Sequence, residues 1–508
     1  MTRRSAPRRP QGATARLHCR SSIRAAAALA VVLAAGASQA RAQSTATPAV
    51  PGVAVVTPDR AALNAATFDT AWRLIYERHF DTTFNGADWP AVRAELAPRA
   101  RGARSDAELR AVIRDMLGRL HESHFALIPR EAADAMEAPS PAASAAGAAA
   151  GAAAGAAAGP GDAGLELRLI GGAFTVSRVA PDGAAERAGV RTGWIVTRVN
   201  DRSLDSLLAR VPREAGERAA RLRATALAEA ALDGDAGTPV RVGVVDGAGR
   251  ASTVTLVRTP RRGEPVKFGN LPPVVMRFER ERLRAPGGAS VGVLRFNIWM
   301  TAAARPFDEG VDEFRNADGI VIDLRGNFGG VGAMVMGLSG HFLAEPVALG
   351  TMHTRSGDLR FVANPRLVNS AGVRVTPYAG PVVVLVDALS ASTSEIFAGG
   401  MQATKRARIV GDTTAGEALP AMMQRLPNGD VLYHAFADFT TPTGARIEGH
   451  GVAPDELVPL TRRALLDGRD PQMDAALRWI AAEKRRSARK DASQQQPQPP
   501  SSPGTAPR

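Results

Sequence analysis

Apolar residues recur at two different periods along this 508-residue chain, and the change of period divides it. Leu109, Val112, Ile113, Met116, Leu117 and Leu120 fall at offsets of 3, 4, 7, 8 and 11 from the first, which is one face of an α-helix. Ser105-Asp106-Ala107-Glu108 ahead of them has the form of a capping box. The spacing therefore predicts a helix that ends near residues 118–121 and delivers the turn Glu122-Ser123-His124-Phe125. The whole of residues 62–130 reads as a helical segment. Across residues 164–258 the apolar runs are short, as in a small β-rich unit, with an alanine-rich helix at residues 219–232. Farther on, residues 291–296, 319–324, 382–386 and 407–410 are apolar runs separated by helical stretches. Unbroken runs belong to strands covered on both faces, so this region is expected to be a mostly parallel sheet with crossover helices.

Three stretches fall outside these patterns. In residues 1–42, seven arginines precede an apolar run at residues 25–35, and Ala40-Arg41-Ala42 offers small residues at the positions a signal peptidase reads. Cleavage after Ala42 and export to the periplasm or beyond the cell are expected, since the run is too short for a permanent span. Residues 43–61 follow as a linker. Residues 131–163 are dominated by Ala and Gly and read as a low-complexity linker, while residues 484–508, rich in Gln, Pro and Ser, read as a disordered tail. The single cysteine, Cys19, precedes the apolar run, so the exported chain has no disulfide, thiol nucleophile or cysteine metal site. The formal charge of +13 is also peripheral: residues 1–42 carry +8 and the tail +5, leaving the body balanced. That removes the electrostatic case for nucleic acid.

Candidate chemistry begins where the strand at residues 382–386 runs into Asp387-Ala388-Leu389-Ser390-Ala391-Ser392-Thr393-Ser394-Glu395. Ser392 falls in the turn between a strand and a helix start, where unpaired backbone N–H groups can hold an oxyanion. A Ser/Thr N-cap without further role is the bland rival. The preceding strand ends in a second informative turn, Asp323-Leu324-Arg325-Gly326-Asn327-Phe328-Gly329-Gly330-Val331-Gly332. It lacks the Gly-Lys-Ser/Thr ending of a phosphate loop and the dinucleotide spacing, so glycines that expose an N–H to an oxyanion are the better reading.

Together with Gly411-Asp412-Thr413-Thr414-Ala415-Gly416 and Gly449-His450-Gly451-Val452-Ala453-Pro454-Asp455, these segments resemble the C-terminal processing and tricorn-type serine peptidases over about residues 66–460. The string from Val179 to Asp201, with Pro181-Asp182-Gly183 and Ala188-Gly189-Val190, resembles the signature of PDZ domains, and Gly164-Leu165-Glu166-Leu167 occupies the place of their carboxylate-binding loop. The resemblance implies an α/β fold: a mostly parallel-sheet, crotonase-like catalytic core at residues 259–483, an N-terminal helical segment contributing a histidine, and an inserted PDZ-like β domain for peptide recognition. It makes Ser392 the nucleophile. The processing branch activates that serine with a lysine 25 residues later and a glutamine four beyond, but here Glu417 and Ala421 stand there, and Lys405 has no claim. The tricorn branch uses a Ser-His pair from the helical segment and a glutamate late in the core, which are present as Ser123, His124 and Glu448. Imidazole accepts a hydroxyl proton near neutral pH, and a carboxylate stabilises the imidazolium that forms. Thr393, with Gly329 or Gly330, is the expected source of oxyanion N–H donors. His121 and His450 are local rivals for the base. The implied activity is peptide-bond hydrolysis of unfolded or flexible polypeptides, some recognised by their C-termini, with no cofactor, no metal, no nucleic acid and no membrane span after cleavage. The alternative is a catalytically silent binding protein of the same fold, taking a peptide or an apolar ligand.

Overall fold

The structure is a computed structural model that describes residues 58–137, 159–211, 216–267 and 274–494. The expected signal peptide and most of the Ala/Gly linker lie outside these residues, as does the end of the tail. Among the described residues, no helix is long and apolar enough to cross a membrane.

The helical segment comprises α1 (Pro58–Arg78), α2 (Trp89–Arg101) and α3 (Asp106–Gly118). It begins four residues earlier than the expected boundary at residue 62. The predicted face of α3 packs with Phe68, Ile75, Trp89 and Leu96 in one buried cluster. Ser105 Oγ accepts from the Glu108 N–H at 3.2 Å, as in a capping box, but the Glu108 carboxylate takes the Arg104 N–H instead of that of Ser105. Beyond α3 the chain turns sharply, with positive φ at both His121 (52°) and His124 (62°). It then forms β1 (Ala126–Ile128) and α4 (Arg130–Glu137). The expected linker at residues 131–163 is therefore shorter: α4 occupies its start, and a short strand at Pro160–Asp162 its end.

The β-rich unit holds β2 (Leu165–Ile170), β3 (Ala173–Val179), β4 (Ile195–Val199), α5 (Glu217–Leu232), β5 (Pro239–Val245) and β6 (Ala251–Val257). The strands form an antiparallel sheet in the order β2-β3-β4-β5-β6, which leaves β2 at an edge. The alanine face of α5 packs on the same core as Leu167, Phe174 and Val196.

The third unit is built on β7 (Phe278–Arg284), β8 (Ser290–Phe296), α6 (Ala304–Glu313), β9 (Gly319–Asp323), β10 (Val382–Val386), α7 (Thr393–Ala403) and β11 (Arg408–Gly411). A hairpin of β12 (Ala421–Arg425) and β13 (Val431–Ala435), β14 (Glu456–Leu457) and α8 (Pro471–Gln494) complete it. The sheet order is β7-β8-β9-β10-β11-β14, parallel except at β7. Alternation explains the unbroken apolar runs. Ile320, Ile322, Val382 and Val384 face α6 and α7, whereas Val321, Val383 and Leu385 face Ala475, Ala476 and Ile480 of α8. Both faces are dry, and each fully buried valine contributes on the order of 1.5–3 kcal/mol. α8 runs past residue 484, so residues 484–494 are helix and not disordered tail; Ala, Arg and Lys there favour helix, and no proline intervenes before Pro497. The ends of β9 and β10 lie side by side, with Asp323 opposite Leu385. Their following turns consequently meet at the same rim of the sheet.

Candidate active site

The two outer serines of the β10–α7 turn are structural. Ser390 Oγ donates to the Leu324 carbonyl at 2.8 Å and accepts from the Asp387 N–H at 3.0 Å. Ser394 Oγ donates to the Asn327 carbonyl at 2.9 Å and accepts from Trp299 Nε1 at 2.9 Å. They tie this turn to the glycine turn after β9. Ser392 between them adopts φ 55° and ψ −118°, a region that L-residues rarely occupy. Its N–H is shared between the Glu417 carbonyl at 2.8 Å and Glu395 Oε2 at 3.0 Å. The Glu395 carboxylate also accepts from the N–H groups of Gly416 and Glu417 and from Thr414 Oγ1, so the turn is anchored on all sides.

The glycine turn presses against it. A Cβ on Gly329 would stand 2.7 Å from Ser392 Cβ, so no larger residue fits there. The Gly329 N–H already donates to Asn327 Oδ1 at 3.0 Å, and the Gly329 carbonyl accepts from the Trp299 N–H at 2.9 Å. In a trans peptide the N–H opposes the C=O, so the Gly330 N–H points away from Trp299. Neither that N–H nor that of Thr393 meets a backbone acceptor among the described residues. Thr393 Oγ1 donates to the Gly330 carbonyl at 2.9 Å, which locks the two positions together.

The segment after α3 brings Ser123 and His124 to the same rim. Ser123 Oγ is 2.5 Å from His124 Nδ1, and the Ser123 N–H donates to Glu448 Oε1 at 3.1 Å. The other oxygen of Glu448 accepts from the Ala418 N–H at 2.8 Å, next to the residue that holds Ser392. All three side chains are buried. The Glu448 carboxylate reaches His124 through Ser123, without a direct hydrogen bond to the imidazole. Among the described residues, His124 Nε2 is buried without a hydrogen-bond partner, as is the Tyr433 hydroxyl, whose ring lies 5.7 Å from the imidazole. Burial pushes His124 down to about 3, with the Arg223 charge acting in the same direction, and pushes Glu448 up to about 8. The imidazole is thus neutral throughout the physiological range.

Known proteins share this arrangement of segments. Residues 290–458 match the model of peptidase family S41, and residues 62–118 match the tricorn protease C1 domain. The chloroplastic C-terminal processing peptidase of Tetradesmus obliquus is 28% identical over 409 residues, covering 76% of each chain. The carboxyl-terminal-processing protease of Synechocystis sp. is 26% identical over 415 residues, covering 80% of this chain and 84% of its own. The chain carries a peptidase S41 domain and is a serine-type peptidase. A solved structure, the photosystem II D1 C-terminal processing protease, shares the fold with a TM-score of 0.51 at 23% identity, covering 82% of this chain and 96% of the other.

The lysine and the rival histidines of this peptidase lie at its surface. Lys405, His121 and His450 are exposed, and His450 Nδ1 lies 2.9 Å from the Glu448 carbonyl. Among the residues read as a peptide-binding loop, Gly164 has φ 71° and its carbonyl holds the Ala180 N–H. Leu165 pairs with Val179. Glu166 lines a cavity between the β-rich unit and the third unit. It is held there by Arg295 at 2.6 Å and Arg277 at 3.3 Å, and four guanidiniums together outweigh the cost of desolvating one carboxylate. Leu167 is a core side chain of the β-rich unit, and its N–H is taken by Glu229 of α5 at 2.9 Å.

Sequence reasoning missed what covers the site. Leu222 of α5 packs with Leu389, Ala391, Ala415 and Phe328, and Arg223 Nη2 stands 3.4 Å from Glu417 Oε1. Arg168 of β2 clamps the same unit to Asp387 at 2.6 Å. No local pattern marks these residues, since each is defined by what lies opposite in another unit. Only Glu417 carried a signal, a carboxylate where one branch of the family places a lysine.

Proposed function

We propose that this chain is an exported serine peptidase that hydrolyses unfolded or flexible polypeptides, with Ser392 as nucleophile and His124, Ser123 and Glu448 as its proton relay. The observation that carries this reading is the relay itself, joined across 325 positions of sequence onto the strained serine turn. A binding protein has no use for such a relay.

In this reading His124 Nδ1–H donates to Ser123 Oγ, and Ser123 donates onward to Glu448. That fixes the tautomer and leaves the Nε2 lone pair to take the Ser392 proton as Oγ attacks the carbonyl carbon. The oxyanion of the tetrahedral intermediate accepts from Thr393 N–H, at the positive end of α7, and from Gly330 N–H. Gly330 is preferred to Gly329, whose N–H is occupied by Asn327. His124 then returns its proton to the leaving amine, and water, activated by the same base, releases the acyl group. The unpartnered Nε2 corresponds to a resting state, in which α5 lies over the turn and must withdraw before substrate enters.

The β-rich unit is read as PDZ-like: β2 is an edge strand flanked by α5, so an extended C-terminus can add beside it once Glu229 releases the Leu167 N–H. Export rests on residues 1–42. The experiment is hydrolysis of casein by the purified chain beside Ser392→Ala, His124→Ala and Ser123→Ala. Turnover lost in the first two and reduced at least about tenfold in the third is expected. A Ser392→Ala variant that still cleaves sinks the assignment, and a parent that binds peptides without turnover favours the binding-protein alternative.

A further inference from the structure

Glu417 has no task in the mechanism above, yet its main chain is fastened to the nucleophile turn at both ends. Its N–H donates to Glu395 Oε2 at 3.0 Å, and its carbonyl accepts from the Ser392 N–H at 2.8 Å. The side chain is therefore within one residue's reach of Ser392, and it is buried, with 6% of the residue exposed. Its one hydrogen-bonding partner among the described residues is Arg223, at 3.4 Å, at the long end of an ion-pair hydrogen bond. That guanidinium arrives from α5, in another unit. Burial raises the Glu417 carboxyl and the Arg223 charge lowers it. The Tyr433 hydroxyl, on which the charges of Glu417 and Glu448 both act, is buried with no hydrogen-bond partner among the described residues. A buried acid with a single distant partner, next to an idle hydroxyl, leaves binding capacity unused beside the reacting atoms.

We propose that Glu417 and Tyr433 form a subsite for a cationic side chain, lysine or arginine, at a residue flanking the scissile bond, and that Arg223 occupies this subsite when no substrate is bound. The inference rests on the reading of Ser392 as nucleophile. Arg223 leaves with α5, because it shares the helix with Leu222, which packs over the serine turn. Its departure strands a buried carboxylate. A substrate that brings its own cation restores the ion pair, whereas a neutral side chain leaves Glu417 to take up a proton. Opening is thus coupled to the charge of what enters.

The test uses the full chain and sets of quenched peptides that differ only in carrying lysine, arginine or norleucine at each position around the cleaved bond. At one position the parent is expected to prefer the basic residue by at least about tenfold in kcat/KM. In Glu417→Gln that preference falls to within about threefold of unity, and because each variant is compared with itself, loss of folded protein cancels. Arg223→Ala lowers KM for the basic peptide and not for norleucine. Cleavage by the parent with no charge preference, or a preference unchanged in Glu417→Gln, overturns the subsite alone. Arg223→Ala raising KM for both peptides overturns the role of Arg223 as occupant. A parent that cleaves none of the peptides overturns the nucleophile reading on which the subsite stands.

Discussion

Ser392 holds backbone angles that a free serine would leave, and its neighbours are chosen for that. Gly329→Ala places a methyl 2.7 Å from Ser392 Cβ, so activity should fall at least about a hundredfold while circular dichroism stays near that of the parent. A Gly329→Ala enzyme with parental kcat would show that the two turns are not fitted to each other. The acidic limb of kcat/KM is a second prediction. In the proposed mechanism Glu448, raised to about 8, must ionise to stabilise the imidazolium, so the rate should climb with a midpoint about 8. His124, held at about 3, contributes no limb near neutrality. Glu448→Gln should flatten the limb and lower the plateau about a hundredfold, whereas a midpoint of about 6.5 would mean a solvated imidazole. Stability runs the other way. A folded-state pKa above the ordinary 4.5 favours folding most below 4.5 and withdraws that favour as pH rises through about 8. At this scale the candidates Ser392, Ser123, His124 and Glu448 were legible in the sequence because they lie in three short local strings. Tyr433 and Arg223 were not, since nothing around them in the chain differs from an ordinary strand or helix.

Among the elements, α5 has two loyalties. Its alanine face belongs to the β-rich unit, and Leu222 with Arg223 belongs to the serine turn. Replacing Leu222 by Ala removes apolar contact from the second interface. Basal hydrolysis of short peptides is expected to rise about three- to tenfold, and the midpoint of thermal unfolding to fall by a few degrees, about 4–8 °C for each kcal/mol in a domain of this kind. An unchanged or lower rate would mean that α5 is a fixed wall and not a cover. The strands of the parallel sheet were readable to within a residue or two, because burial on both faces leaves unbroken apolar runs. Helix boundaries were less so: α8 continues to Gln494, since charged residues that look like a tail are also good helix formers.

Across the molecule, the proposed base and nucleophile belong to separate units, and one of the contacts that join these units is a buried ion pair. Arg110 of α3 grips Asp430, which is fully buried, with bonds of 2.9 and 2.7 Å across 320 positions, and Asp430 also holds the Arg130 N–H. Beside it, β1 pairs with β13, placing Ala126 opposite Tyr433. Arg110→Ala should cost about 3–5 kcal/mol in denaturant unfolding, because it leaves a buried charge unpaired, and should lower kcat by displacing His124. Arg110→Ala with Asp430→Asn should recover part of that loss, and a double variant no more stable than the single one would show that the pair is not coupled. The sequence by itself determined the periods, the apolar strand runs, the two turns at the strand ends and the family strings, all properties of residues a few positions apart. Only the tertiary structure decided that Glu448 meets Ser123 instead of His124, that Glu166 meets a cluster of arginines, and that Arg223 stands against Glu417. Those contacts follow from sheet register and from the docking of separate units, which set distances between remote residues that no local pattern encodes.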